Sequence, residues 1–250
     1  MSDSLVIIPT YNEKENVENI IRRVFSLEDS FHVLVIDDGS PDGTADIVKS
    51  LQKEFPEALH LELRAGKQGL GTAYIHGFRW ALARNYAFIF EMDADFSHNP
   101  EDLIKLKNGC IDNDAYLAIG SRYKSGVNVV NWPMARVLMS FFASIYVKTI
   151  TGMPIHDATA GFKCYRREVL ETINLKDIKF VGYAFQIEMK FTTWKIGYKI
   201  EEVPIIFTDR TEGTSKMSGG IFKEAFFGVL KMKLNSIFKK YPTPKFTKAA

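Results

Sequence analysis

The chain has little of what marks a secreted, membrane-spanning or nucleic-acid-binding protein. Its two cysteines, Cys110 and Cys164, belong to no ligand or redox motif, which excludes a disulfide framework and makes a reduced, cytoplasmic setting the expectation. No apolar run reaches the roughly 18 residues that a bilayer-spanning helix needs. The longest candidate, between Arg136 and Lys148, is too short. The opening "MSDSLVIIPTYNEKE" lacks the basic start and apolar centre of a signal peptide. With a net charge of +2 there is no global case for nucleic acid as a partner. Internal repeats and low-complexity linkers are also missing. A soluble or membrane-surface-bound protein is expected.

What remains is ordinary globular composition, 46% hydrophobic and 25% charged, over 250 residues. That is ample for one large domain with a proper core. Residues 5–8, 33–36, 59–63, 87–90 and 115–119 read as strands. Residues 15–25, 45–55, 72–84 and 101–109 read as helices between them. The alternation predicts an α/β fold with a mainly parallel sheet flanked by helices. Ligands of such sheets bind beyond the carboxyl ends of the strands. Polar clusters stand at three of those ends: "PTYNE", "DDGSPDGT" and "DADFSH". The second half is less regular, with helices predicted at 134–150, 182–196 and 221–238 and a strand at 202–207. A polar loop, "TDRTEGTSKMSGG", precedes the last helix, and a basic tail follows it.

Each cluster admits two readings. In "DDGSPDGT" the residues from Ser40 to Thr44 suit a turn and a helix cap, but Asp37 and Asp38 precede the turn and could accept hydrogen bonds from a base or ribose. Gly66, Gly69 and Gly71 precede a helix and suit either a phosphate cradle or close helix–sheet packing. The spacing is not that of a dinucleotide fingerprint, and packing is favoured. In "DADFSH" the acids at i and i+2 share one face of a regular strand, where a hard divalent cation would offset their repulsion. An Asx turn, with Asp95 or Ser97 capping the next helix, is the plainer alternative. Arg136, Ser140, Ser144 and Lys148 form a polar helical stripe opposite Met134, Leu138, Phe141, Phe142 and Ile145. It is an ordinary surface helix with its apolar side in the core, or an anion site. The helix at 221–238 is a core helix or an interfacial membrane helix with a basic fringe. The loop holding Arg210 and Lys216 is a solvated connection or a cationic lid over a phosphorylated ligand. Glu91 receives no role.

The segments "VIIPTYNEKENV", "VIDDGSPDGTADIV", "GLGTAYIHGFRWA", "FEMDADFSHNPEDL", "GSRY", "DATAGFKCYRREVL" and "GYAFQIEM" together resemble the inverting family-2 glycosyltransferases of the GT-A fold. Within them the chain looks like the dolichol-phosphate mannose synthases and their bacterial polyprenol-phosphate relatives. The matches run from Pro9 to Lys216. The resemblance implies a catalytic domain at 1–218, with a nucleotide-binding half at about 1–120 and an acceptor-binding half at about 121–218. A basic amphipathic helix and tail fill 219–250.

The resemblance also implies residue roles. Pro9, Tyr11, Glu13, Ile36 and Asp38 would bind the nucleotide. Asp93, Ala94 and Asp95 form its D-x-D segment, with Asp95 and Ser97 holding Mn2+ or Mg2+ and Asp93 contacting the donor. Arg122 would reach phosphate, Arg136 and Ser140 the phosphate of a lipid acceptor, and Arg210 and Lys216 the donor diphosphate. Asp95, Arg122 and Arg136 would be the catalytic set, and Asp157 or Glu188 would touch the sugar or support those that do. The implied reaction moves a hexose, mannose from GDP-mannose first and glucose from UDP-glucose as the alternative, to a polyprenyl monophosphate with inversion. Many relatives carry C-terminal transmembrane helices and this chain has none. It resembles the form that works on the cytoplasmic face of a membrane, as a peripheral protein or with a membrane-anchoring partner subunit. Two unrelated readings compete. A haloacid-dehalogenase-like phosphohydrolase would need D-x-D-x-[TV] after the first strand, where "PTYNE" stands instead. A non-catalytic nucleotide-binding module would not need the downstream arginines.

Overall fold

The run "SLVIIPT" is apolar on both of its alternating faces, as a strand covered by helices on both sides should be. In the computed structural model, which describes residues 2–210 and 220–246, it is β1 (Ser4–Thr10) at the middle of the sheet. Leu5 and Ile7 enter one hydrophobic core, Val6 and Ile8 the other. The chain continues as α1 (Val17–Phe25), β2 (His32–Asp37), α2 (Thr44–Leu51), β3 (Leu59–Leu63), α3 (Leu70–Leu82), β4 (Phe88–Glu91), α4 (Asp102–Asp112) and β5 (Leu117–Ser121). Then come β6 (Val129–Val130), α5 (Met134–Thr151), β7 (Lys163–Arg166), α6 (Arg167–Thr172), α7 (Tyr183–Ile196), β8 (Ile200–Pro204), β9 (Phe207–Thr208) and α8 (Gly220–Phe238).

The main sheet has seven strands in the order β3-β2-β1-β4-β7-β5-β8. All neighbours are parallel except β7, which lies antiparallel between β4 and β5. Because β1, β2 and β4 are parallel neighbours, their carboxyl ends share one edge, where the three polar clusters were expected. A small parallel pair, β6 with β9, stands apart from the main sheet.

Gly71 is held by packing: a Cβ there would come within 2.7 Å of the Phe185 ring on α7. The packing reading of that glycine is the correct one. The predicted strand at 202–207 divides instead into β8 and β9. The larger correction concerns α5. The five apolar residues expected in the core are exposed, Met134 to 70% and Phe142 to 61%, whereas Ser144 is buried and Val147 is the apolar residue of α5 that enters the core. Of the polar stripe, Arg136, Ser140 and Ser144 face the body of the protein, and Lys148 is exposed. α8 packs beside α5, with Val229 and Met232 buried and Phe227, Ile237 and Phe238 exposed. Tyr146 of α5 stacks on Phe226 and donates its hydroxyl to the Phe226 carbonyl at 2.9 Å. Lys233 donates to the carbonyl of Thr151 at 3.0 Å, placing a cation at the carboxyl end of α5.

Candidate active site

The loops after β1 and β2 are stitched together by short polar side chains. Thr10 and Ser40 both donate to Asp37, at 2.9 and 2.6 Å, and Glu13 N–H donates to Thr44 at 3.0 Å. Asp37 is therefore a fully buried structural acceptor. Asp38 accepts from Nε and Nη2 along one edge of the Arg64 guanidinium, at 2.5 and 2.8 Å. Ile36 is wholly buried, so its side chain belongs to the core. Pro9, Tyr11, Glu13 and Asp38 lie along this edge, outside the main cavity described next.

β4 runs into that cavity, which measures about 590 Å³. Asp93, Asp95 and Ser97 line it, while the side chain of Ala94 is buried beside them. An Asx turn does form: Asp95 Oδ1 accepts from Ser97 N–H at 3.1 Å and Ser97 Oγ at 2.6 Å. α4 takes no side-chain cap from it. The turn leaves Asp95 Oδ2 facing Arg210, whose guanidinium is 3.2 Å away. Burial alone would raise the Asp95 carboxyl, but the Ser97 hydrogen bonds and the Arg210 charge hold it below the usual carboxylate range. Asp93 goes the other way. Burial, then the charges of Asp95 and Glu91, push its carboxyl up to about 7. His98, stacked on Phe162, is pushed down to about 4 by burial and is neutral at pH 7.

Three arginines share the cavity lining with these acids. Arg122 is clamped by Asp157 at 2.6 and 2.7 Å and by Thr159 at 2.8 Å. Arg136, on the inward face of α5, meets Asp209 at 2.9 Å and lies 4.1 Å above the Trp132 ring. Ser140 is one turn further along the same wall. Arg210 completes the set; Lys216 lies outside the described residues. The site thus gathers Asp93, Asp95, Ser97, Arg122, Arg136, Ser140 and Arg210 in one cavity. Asp157 is spent on Arg122, and Glu188 accepts the backbone N–H groups of Lys179 and Phe180. Neither lines the cavity, so the supporting role fits both better than contact with a sugar.

Residues 5–173 match the glycosyl transferase family 2 model. The chain belongs to that family. Over 90% of its length this glycosyltransferase is 48% identical to the polyprenol monophosphomannose synthase of Mycolicibacterium smegmatis, covering 85% of that protein. It is 45% identical to the undecaprenyl-phosphate mannosyltransferase of Micrococcus luteus, over 90% of this chain and 91% of that protein. Two solved structures share the GT-A fold at low identity. One is a mannosyltransferase from Pyrobaculum calidifontis in complex with GDP-Man and Mn2+, at TM-score 0.58 and 16% identity, covering 94% of this chain and 74% of that one. The other is the glucosyl-3-phosphoglycerate synthase of Mycobacterium tuberculosis with Mn2+ and UDP, at TM-score 0.64 and 15% identity, covering 93% and 78%.

The donors around Asp95 suit a hard divalent cation. Among the described residues no group of three or more His, Cys, Asp or Glu is set to enclose a metal. One carboxylate and one hydroxyl 2.6 Å apart, with the half-buried carboxylate of Asp93 in the same cavity, instead suit an ion that draws its remaining ligands from phosphate oxygens and water.

Beneath the acids lies a charged layer that the sequence did not disclose. Glu91, the acid left without a role, is fully buried and accepts from Lys163 and from the Tyr165 hydroxyl, both at 3.0 Å. Lys163 also donates to the Gln186 side-chain oxygen. Lys190 donates to the carbonyls of Ala158 and Ala160 at 2.8 and 2.6 Å, holding the segment that clamps Arg122. Trp132 and Phe207, which wall two of the three cavity arginines, Arg122 and Arg136, were also missed. Their signal was "NVVNWP" and an isolated "IFTD", too short for any periodicity.

Proposed function

We propose that this glycosyltransferase moves mannose from GDP-mannose to a polyprenyl monophosphate, with inversion at the anomeric carbon. One observation carries the reading. The cavity that gathers a buried acid, a half-buried acid and three arginines is also lined by Phe142 and Phe227, which are exposed and apolar. A lipid phosphate needs both surfaces, cations for its head and apolar contact for its chain. The names of the relatives at 45 and 48% identity support mannose and a polyprenyl acceptor.

A phosphate monoester has a second pKa of roughly 6, so the acceptor is largely dianionic at neutral pH. It needs no strong general base, and His98 and Asp93 are not required as one. Arg136, with Ser140 beside it, orients the acceptor phosphate. Arg122, held in a fixed plane by Asp157 and Thr159, supplies a second guanidinium whose position costs no reorganisation. Arg210 would face the donor diphosphate after leaving Asp95, and Lys216 would act with it. Asp95 and Ser97 would hold Mn2+ or Mg2+, which supplies charge to the leaving diphosphate. Pro9, Tyr11, Glu13 and Asp38 would receive the nucleoside.

A second reading keeps the acceptor and exchanges the donor for UDP-glucose. A thermal-shift panel of GDP-mannose, UDP-glucose and the bare nucleotides, with and without Mn2+, separates the two. The largest shift is expected with GDP-mannose plus Mn2+. A larger shift with UDP-glucose selects the second donor, and no shift with any nucleotide overturns both.

A further inference from the structure

Gln186 on α7 is 2% exposed and lines the cavity, and its Nε2 has no hydrogen-bond partner among the described residues. Its orientation is dictated from behind. The Lys163 ammonium can only donate, so the amide must turn its oxygen toward Lys163 and its NH2 away. Lys163 is itself anchored by Glu91. A buried donor left without an acceptor is costly, and such groups in native proteins call for an explanation.

The NH2 borders a gap created by Gly161. The point where a Cβ at 161 would stand is 3.6 Å from Gln186 Nε2 and 3.9 Å from Asp93 Oδ2. The gap thus has a fixed donor on one side and a carboxylate oxygen on another. A phosphate oxygen, anionic and only an acceptor, is disfavoured beside Asp93, and the cavity already offers phosphates three arginines. A hydroxyl can accept from the amide and donate to the carboxylate. We propose that Gln186 and Asp93, across the gap left by Gly161, seat the hydroxyl-bearing edge of the donor hexose. Gln186 Nε2 donates to a hydroxyl oxygen, and Asp93 Oδ2 accepts from the same hydroxyl or its neighbour. The inference rests on the nucleotide-sugar reading above and adds to it a sugar-recognising residue, Gln186, and the reason that position 161 is glycine.

Two variants test it by titration calorimetry with GDP and GDP-mannose in the presence of Mn2+. In Gly161→Ala the added Cβ meets its neighbours at ordinary contact distance, and no left-handed backbone is involved, so the fold should accept it. Gln186→Met keeps the volume and removes the donor. Both should bind GDP like the parent protein and GDP-mannose about tenfold more weakly. Donors lacking one mannose hydroxyl supply the discriminating readout: for one such analogue, Gln186→Met should cost no further affinity. If both variants bind GDP-mannose like the parent, or if every deoxy donor suffers the full tenfold loss in Gln186→Met, the proposal is overturned. If the parent protein binds neither GDP nor GDP-mannose, it is the underlying nucleotide-sugar reading that fails.

Discussion

Asp95 divides its two oxygens between tasks. Oδ1 closes the turn with Ser97, and Oδ2 holds Arg210 at 3.2 Å. Asp95→Ala should cut mannosyl transfer by about 10²–10³-fold even with saturating Mn2+, the scale expected when one stabiliser of leaving-group charge is lost. Near-normal turnover would remove Asp95 from the machinery. Arg136 is pinned differently, between Asp209 and the face of Trp132. Arg136→Ala should raise KM for the lipid phosphate by about 10–100-fold, the worth of one charge-assisted hydrogen bond, while GDP-mannose affinity stays within twofold of the parent, roughly. Parallel loss of both would contradict an acceptor role. Both residues stood in motifs that the sequence singles out. Each had a plainer alternative there, an Asx turn for Asp95 and an ordinary surface helix for Arg136, and only the family resemblance gave them roles. Gln186 was not legible, since an amide within a helical stretch has no pattern to betray an unsatisfied donor.

Between elements, the short strand β7 joins the two parts of the sheet, standing between β4 and β5, and like β6 it was not expected from the sequence. Only four residues long, it places Lys163 where a reader of hydrophobic patterns expects an apolar side chain. The pairing with Glu91 of β4 explains both residues at once. Removing one partner strands a buried charge, so Glu91→Leu should cost about 3–5 kcal/mol in urea unfolding. The double variant Glu91→Leu/Lys163→Met should recover most of that loss, and failure to recover would mean the pair is not the cause. Asp157, in the segment between α5 and β7, gives a pH test. Burial pushes its carboxyl up, and the charge and hydrogen bonds of Arg122 outweigh that and hold it below its ordinary value of 3.8. A lowered carboxyl stabilises the fold fully above its unfolded value and loses that contribution as pH falls through the folded one. Melting of the parent and of Asp157→Asn should therefore differ widely at neutral pH and converge in acid, below about pH 4. A gap that is constant with pH would contradict the ion pair.

Across the whole molecule, the positions of the first five strands along the chain and the edge carrying the polar clusters could be read from the alternation of apolar runs and polar ends, while the order of strands in the sheet could not. Nor could the facing of α5. Its stripe of small and cationic residues looked like a solvent face because hydrophobic patterning assumes that apolar residues seek the core. Here the cavity claims Arg136 and Ser140, Met134, Leu138 and Ile145 are exposed, and Phe142 with Phe227 of α8 is exposed at the cavity's apolar lining. Among the described residues no helix is long and apolar enough to cross a membrane. This face, with Lys239 and Lys240 exposed at its end, suits contact with a lipid surface. Phe142→Glu/Phe227→Glu should weaken co-sedimentation with anionic vesicles by about tenfold or more and leave GDP-mannose binding intact. Unchanged sedimentation would move the lipid contact elsewhere. The central claim is the transfer itself. The most direct measurement mixes the protein with radiolabelled GDP-mannose, Mn2+ and polyprenyl monophosphate in vesicles and counts mannose in the organic phase. Label in the lipid as an acid-labile mannosyl phosphate is the predicted result; label released only as free mannose, or none transferred while UDP-glucose labels the lipid, would contradict it.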